Sequence, residues 1–100
     1  MGTLVIEEWQ RIGTPDNPNA PVYYGNCATT EDTTTSTSDE TVTVNGKTRY
    51  VSVLAVSGDH RIAINSATIA AGIVSYVAEG ERRDIALPPN TTTIAYESTA

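Results

Sequence analysis

The chain has 100 residues, of which 39% are hydrophobic, and a formal net charge of −6. A chain of this length supports one modest hydrophobic core and therefore one domain. The acidic balance argues against nucleic acid or an anionic membrane as the partner, because binding phosphate groups requires a basic face. Cys27 is the single cysteine, which excludes an intramolecular disulfide, and no Cys/His spacing typical of a zinc site is present.

The opening residues, MGTLVIEEW, have neither the basic start nor the apolar segment of a signal peptide. No apolar run in the sequence approaches the roughly 20 residues that a membrane-spanning helix requires. We therefore expect a protein that is neither secreted nor inserted into a membrane.

The first segment, Thr3 to Trp9, predicts a β-strand with Leu4 and Ile6 on one face and Val5 on the other. The following stretch, GTPDNPNAP, is too rich in Pro, Asn and Gly for a helix or a central strand. We therefore divide the chain into an N-terminal strand or arm at 1–12, a connector at 13–21 and a β-sandwich domain at 22–100. The strand either pairs with another subunit or the surface it binds, or is the first strand of its own sandwich.

The next stretch combines a short aromatic strand, VYYGNC, with the Thr- and Ser-rich segment 28–40. Ser and Thr hydroxyls compete for backbone hydrogen bonds, and the segment has no apolar residue larger than alanine. We expect a mobile surface loop there. Its acid pairs, Glu31/Asp32 and Asp39/Glu40, lack the ligand pattern of a calcium loop.

Two alternating runs at residues 41–56 are joined by Asn45-Gly46. This dipeptide favours a type I′ turn, so the sequence predicts a β-hairpin. One face of the hairpin would carry four valines: Val42, Val44, Val51 and Val53. The other face would carry Tyr50, Leu54 and Val56. Because the second strand is apolar on both faces, we expect it to lie centrally in its sheet.

The only histidine, His60, follows the Ser57-Gly58-Asp59 turn and begins a strand whose body is apolar. A catalytic role would require a nucleophile held by His60 and an acid that orients the ring. Asp59 is poorly placed for that role, because neighbouring strand residues point to opposite faces. The sequence therefore favours a solvent-facing histidine without a catalytic function.

The remaining sequence predicts a turn or loop through residue 71 and then a strand, although Ile69, Ile73 and Tyr76 also have helical spacing. The last segment predicts a strand, a Pro-Pro-Asn turn and a closing strand with Ile94 and Tyr96 on one face. The expected fold class is all-β, an antiparallel β-sandwich or jelly-roll-like barrel of about seven or eight short strands.

Five short segments occur along the chain in this order: MGTLVI at 1–6, TRYV at 48–51, DHRIAI at 59–64, AEG at 78–80 and LPPNTTTIA at 87–95. Their order resembles a group of small virion proteins of tailed bacteriophages, often encoded close to the major capsid gene. The resemblance spans nearly the whole chain and implies a capsid decoration or cement protein. The chain departs from the pattern at Asn90, where glycine is common, and in its Thr/Ser-rich segment, which offers room for surface adhesion.

The resemblance implies a structural virion protein, not an enzyme, that is made in the bacterial cytoplasm and binds the capsid exterior. The implied partners are the major capsid protein and further copies of the chain, as a homo-oligomer or as neighbours on the shell. No nucleic acid, membrane, metal or cofactor is expected. The predicted interface residues are Leu4, Val5, Ile6, Trp9, Tyr23, Tyr24, Arg82 and Arg83.

The alternative function is a head-fibre, tail or adhesin β-domain that binds host surface glycans. Exposed aromatic side chains commonly stack on sugar rings. The candidates for such stacking are Trp9, Tyr23 and Tyr24.

Overall fold

The computed structural model describes residues 2–13, 22–70 and 72–99, with the backbone alone for 12–13 and 22–24. Of the predicted connector, residues 14–21 lie outside the described residues. The strands are β1 (Gly2–Gly13), β2 (Val22–Thr35), β3 (Glu40–Thr43), β4 (Tyr50–Ser57), β5 (His60–Ile64), β6 (Val74–Val77), β7 (Arg82–Ala86) and β8 (Thr93–Ser98). The predicted all-β class and strand number are confirmed.

The strands form two four-stranded antiparallel sheets, which we call the front and back sheets. The front sheet has the order β2-β1-β4-β7 and the back sheet the order β3-β8-β5-β6. The hydrophobic core lies between the two sheets and consists of Leu4, Ile6, Val44, Val51, Val53, Ala55, Ile62, Val77, Ile94 and Tyr96. Every second residue of a strand faces this core, which produces the alternating apolar pattern of the sequence.

The N-terminal strand β1 is an interior strand of the front sheet, paired on one side with β2 and on the other with β4. Leu4 and Ile6 are each only 1% exposed and lie in the core, whereas Val5 points to the outer face. The predicted face assignment of these residues is confirmed. In this structure the segment is an interior strand of the sandwich formed by its own chain.

Strand β2 corrects the first part of the predicted loop at residues 28–40, because it continues through Thr35, whereas residues 36–39 form a loop between strands. It pairs with β1 along its whole length, from Val22 opposite Gly13 to Thr35 opposite Gly2. The β-branched threonines are suited to a pleated strand. Backbone pairing with β1 holds the segment as a strand, and the local composition does not reveal this partner.

The predicted hairpin at Asn45-Gly46 is wrong, because β3 pairs with β8 while β4 pairs with β1 and β7. Neither Asn45 nor Gly46 has a positive φ angle, so the turn is not type I′. The backbone N–H of Thr48 donates to the carbonyl of Asn45 at 3.0 Å, which centres the turn on Gly46 and Lys47. The segment is a corner that carries the chain from the back sheet to the front sheet.

The C-terminal half follows the prediction more closely. The strand after the loop is β6, and the closing strand β8 places Ile94 and Tyr96 in the core. Asn90 adopts a φ of 65°, in the left-handed region that asparagine tolerates. The loop before β6 folds against the outer face of the back sheet, where a Cβ on Gly72 would lie 2.8 Å from that of Ala63.

Candidate functional surfaces

The predicted interface residues of β1 divide between the two faces of the front sheet. Leu4 and Ile6 are core residues and are therefore not available to a partner, which corrects that part of the prediction. Val5 and Trp9 lie on the outer face, half-buried, opposite Leu54 and Tyr50 of β4. Of the four predicted interface residues in β1, only Val5 and Trp9 therefore lie on the outer face of the front sheet.

Arg82 and Arg83 lie on the edge strand β7, and both form ion pairs within the chain. Arg82 donates to the carboxylate of Glu7 at 2.9 Å and to the hydroxyl of Ser52 at 2.6 Å. Arg83 lies 3.5 Å from the carboxylate of Glu81. Both side chains remain more than 40% exposed, so they are accessible but already neutralised.

Tyr23 and Tyr24 lie in β2, opposite Ile12 and Arg11 of β1 in the backbone register. Their side chains lie outside the described part of the structure. The predicted role of these side chains in an interface or on a sugar ring stays a prediction.

His60 is fully buried, which corrects the prediction of a solvent-facing histidine. Its Nδ1 lies 3.0 Å from the carbonyl of Gly58, and its Nε2 lies 2.8 Å from the hydroxyl of Thr35. Because a carbonyl only accepts, Nδ1 carries the proton and Nε2 accepts from Thr35. Burial lowers the pKa of His60 below its usual value of 6.5, which favours this neutral form.

The pair of Thr35 and His60 has the composition of a nucleophile and a base, but both side chains are 0% exposed. The start of β1 covers them, since a Cβ on Gly2 would lie 3.0 Å from the ring of His60. Asp59 does not orient the ring; its carboxylate accepts from the backbone of Glu79 and from the hydroxyl of Tyr76. A substrate cannot reach the Thr35 hydroxyl in this arrangement. The hydrogen bond between Thr35 and His60 therefore has a structural role.

Acidic side chains meet in two places, the first of which lies along the edge formed by β2 and β3. Tyr96 of the back sheet donates to Asp32 of the front sheet at 2.9 Å, and Glu40 is hydrogen-bonded to the same carboxylate. The contact between the two carboxyl groups lowers the pKa of Asp32 and raises that of Glu40. This arrangement indicates a shared proton between the two groups at acidic pH.

The second acidic contact lies on the outer face of the back sheet. Burial and the nearby Asp39 raise the pKa of Glu97, while Arg61 pairs with it at 2.9 Å. Within the described ranges, no group of three or more His, Cys, Asp or Glu side chains is arranged to hold a metal ion. Of the acid pairs in the sequence, Asp32, Asp39 and Glu40 contact other carboxyl groups or hydrogen-bond donors.

An exposed apolar strip runs along β6, the edge strand of the back sheet. Ile73 is 91% exposed, and Val74 and Tyr76 are 43% and 48% exposed. β6 pairs only with β5, so its other backbone edge has no strand partner in the described part of the chain. We call Ile73–Tyr76 the β6 edge.

A depression of about 370 Å³ lies at one end of the front sheet, where β1 passes the start of β4 and the end of β7. Its lining consists of Gln10, Arg11, Arg49, Tyr50, Ala86 and Leu87. A second depression of about 460 Å³ lies next to it, between the Asn45–Thr48 corner and the Pro88–Thr92 turn. Arg49 and Leu87 line both, so together they form one uneven surface at this end of the sandwich.

Sequence reasoning missed Glu8, which is only 1% exposed and stabilises the corner. Its Oε1 accepts from the backbone N–H of Asn45 and from the hydroxyl of Thr48, each at 2.8 Å. The signal in the sequence is that Glu8 lies on the inward side of β1, two residues after Ile6. A charged residue at an inward position requires a polar partner.

Comparisons with family models, curated proteins and solved structures found no match to this chain. Nor does any helix among the described residues have the length and hydropathy to cross a membrane.

Proposed function

We propose that this chain is a structural virion protein that binds the outer surface of a tailed-phage capsid and stabilises or decorates the shell. Two things support the proposal. One is the order of short segments along the sequence that resembles small head-associated virion proteins. The other is the β6 edge, which has the properties of a protein-docking surface.

The β6 edge differs from the other three sheet edges. β2 carries Glu31 and Asp32, β3 carries Glu40, and β7 has three charged residues among its five. β6 reads VSYV and has no charged residue. Charged edge residues are a common protection against unwanted strand pairing, so an uncharged and exposed edge is available to another strand.

In the proposed complex, an extended segment of the major capsid protein adds to β6 as a further strand of the back sheet. Strand addition supplies main-chain hydrogen bonds, and side-chain pockets supply specificity. Ile73, Val74 and Tyr76 would be covered on binding. Neighbouring copies on the shell are further proposed partners, and no catalytic step is involved.

Co-sedimentation with purified shells that lack this protein tests the proposal. The native chain should bind many sites over the whole shell, and Ile73→Asp should reduce binding strongly because it places a charge in the contact. Val56→Asp is the matched control, since Val56 is 50% exposed on the front sheet and outside the β6 edge.

Absence of binding by the native chain would refute the capsid function. Equal loss with Val56→Asp would show that the contact does not use the β6 edge. Binding at only a few positions, such as a vertex or the tail, would favour the fibre or adhesin alternative.

A further inference from the structure

The depression beside Tyr50 combines cationic, amide, aromatic and aliphatic side chains in one concave surface. Gln10 and Arg11 come from β1, Tyr50 begins β4 and Ala86 ends β7. Arg49 directly precedes β4, and Leu87 directly follows β7. Its volume of about 370 Å³ is in the lower range of small-molecule sites.

The two arginines of this depression are exceptional among the arginines of the chain. Arg61, Arg82 and Arg83 each form an ion pair with a glutamate. No described carboxylate forms an ion pair with Arg11 or Arg49, although the chain has 12 acidic residues against six basic ones. Among the described residues, two guanidinium groups at one site therefore have no carboxylate partner.

Arg49 is also held in place by the corner of the fold. Its Nη1 donates to the carbonyls of Gly46 at 3.2 Å and Thr48 at 3.1 Å. No described residue accepts a hydrogen bond from its Nε or Nη2. A guanidinium fixed on one side offers its remaining donors in a defined plane, which suits the two oxygens of a carboxylate.

The other side chains that line the depression favour an anion that carries a sugar ring. Tyr50 supplies an aromatic ring, and Ala86 and Leu87 supply aliphatic surface, which together suit the C–H face of a sugar ring. Gln10 supplies an amide that both donates and accepts, as sugar hydroxyls require. A simple inorganic anion would leave the aromatic and aliphatic surfaces unused.

We infer that this depression binds an acidic saccharide, with the carboxylate of a uronic acid or a similar sugar on Arg11 and Arg49 and its ring against Tyr50. This site goes beyond the proposed shell binding and does not depend on it. It lies on the front sheet, whereas the β6 edge belongs to the back sheet. A particle-bound copy would therefore have a second surface for an anionic polysaccharide.

The test measures binding of a galacturonic acid trimer by NMR titration and calorimetry, in parallel with a neutral galactose trimer and a triglutamate peptide. The acidic saccharide should bind at least about tenfold more tightly than either of the other probes. Arg11→Gln and Arg49→Gln should each weaken its binding about tenfold or more. The side chain of Arg11 forms no hydrogen bond or ion pair with a described residue, so its substitution leaves the described side-chain contacts of the fold intact.

Lys47→Gln is the matched control, because it removes the same charge from the same corner but Lys47 does not line the depression. Its effect should stay below about threefold, as expected for a screened exposed charge. Equal binding of triglutamate would overturn the saccharide assignment in favour of an acidic protein partner. An equal loss in Lys47→Gln, or no binding of the galacturonic acid trimer, would overturn the site itself.

Discussion

At the scale of single residues, His60 shows how strongly a buried neighbour changes the role of a side chain. The ring lies at the start of β5, as expected, but Thr35 of β2 and Gly2 of β1 enclose it. Its two ring nitrogens are used by one hydroxyl and one carbonyl. His60 is therefore a structural residue of the core boundary, and its removal should affect folding.

His60→Ala should lower the free energy of unfolding by about 2–4 kcal/mol, because it leaves a cavity and an unpaired buried hydroxyl. Urea unfolding followed by circular dichroism measures this change. Asp84→Ala, on the exposed face of β7, is the control and should stay within about 0.5 kcal/mol. A His60→Ala variant as stable as the control would contradict the buried hydrogen bonds.

The titration of His60 gives a second prediction at this scale. Burial lowers its pKa in the folded state, so the unfolded chain binds the proton more readily and stability falls as the pH drops below about 6.5. Because His60 is the only histidine, its imidazole signals in NMR are unambiguous. The folded protein should titrate below 6.5 and the urea-unfolded chain close to it; a higher midpoint in the folded protein would contradict the prediction.

At the scale of elements, the partner of a strand decides its length and its role. β2 extends to Thr35 because β1 provides hydrogen bonds along its whole length. The corner at Asn45–Thr48 joins two sheets because Glu8 holds it against β1. In both cases, the decisive contact comes from a residue distant in sequence.

Hydrogen exchange tests the extent of β2. About half of the amides in residues 25–35 should exchange slowly, because alternate N–H groups of an edge strand point to its single partner. The other half should exchange quickly. Uniformly rapid exchange across Thr29 to Thr35 would contradict the strand and support the mobile loop predicted from the composition.

The corner can be tested by removing the carboxylate that holds it. Glu8→Ala should cost about 2–4 kcal/mol of unfolding free energy, because it leaves the N–H of Asn45 and the hydroxyl of Thr48 without their acceptor. Glu7→Ala is the control on the neighbouring, outward position; it removes an exposed pair with Arg82 and should cost at most about 1 kcal/mol. Similar losses in the two variants would contradict the role of Glu8.

At the scale of the whole molecule, the two sheets are joined by their shared core and by polar contacts at the β2/β3 edge. Tyr96 crosses from the back sheet to Asp32 of the front sheet, and Glu40 lies against the same carboxylate. The raised pKa of Glu40 means that its ionisation opposes folding. The edge is therefore most stable when Glu40 is protonated and Asp32 is ionised.

Glu40→Gln should raise the unfolding free energy at pH 7 by about 0.5 kcal/mol, because it removes the repulsion from Asp32. The gain should disappear below about pH 4, where Glu40 is protonated in both folded and unfolded chains. Thermal unfolding at several pH values measures it. Glu31→Gln, an exposed position on β2, is the control; a gain of the same size there would indicate an effect of net charge alone.

The sequence by itself determined the all-β class, most strand positions and the inward faces of the strands. Alternation with a period of two is a local property of each strand, so the faces of Leu4, Ile6, Ile94 and Tyr96 could be predicted. The four valines predicted to share one hairpin face do contact one core, with Val42 half-buried. They reach it from two different sheets. Turn residues determine a local bend, but they do not determine which strands the two flanking strands pair with.

Only the tertiary structure decided which strands pair and which polar side chains are enclosed. The burial of His60 and Glu8 depends on Thr35, Asn45 and Thr48, which lie 25 to 40 residues away in the sequence. The depression beside Tyr50 likewise combines three strands from distant parts of the chain. Such contacts arise from chain reversals and sheet order, and neither the composition nor the periodicity of a short segment contains that information.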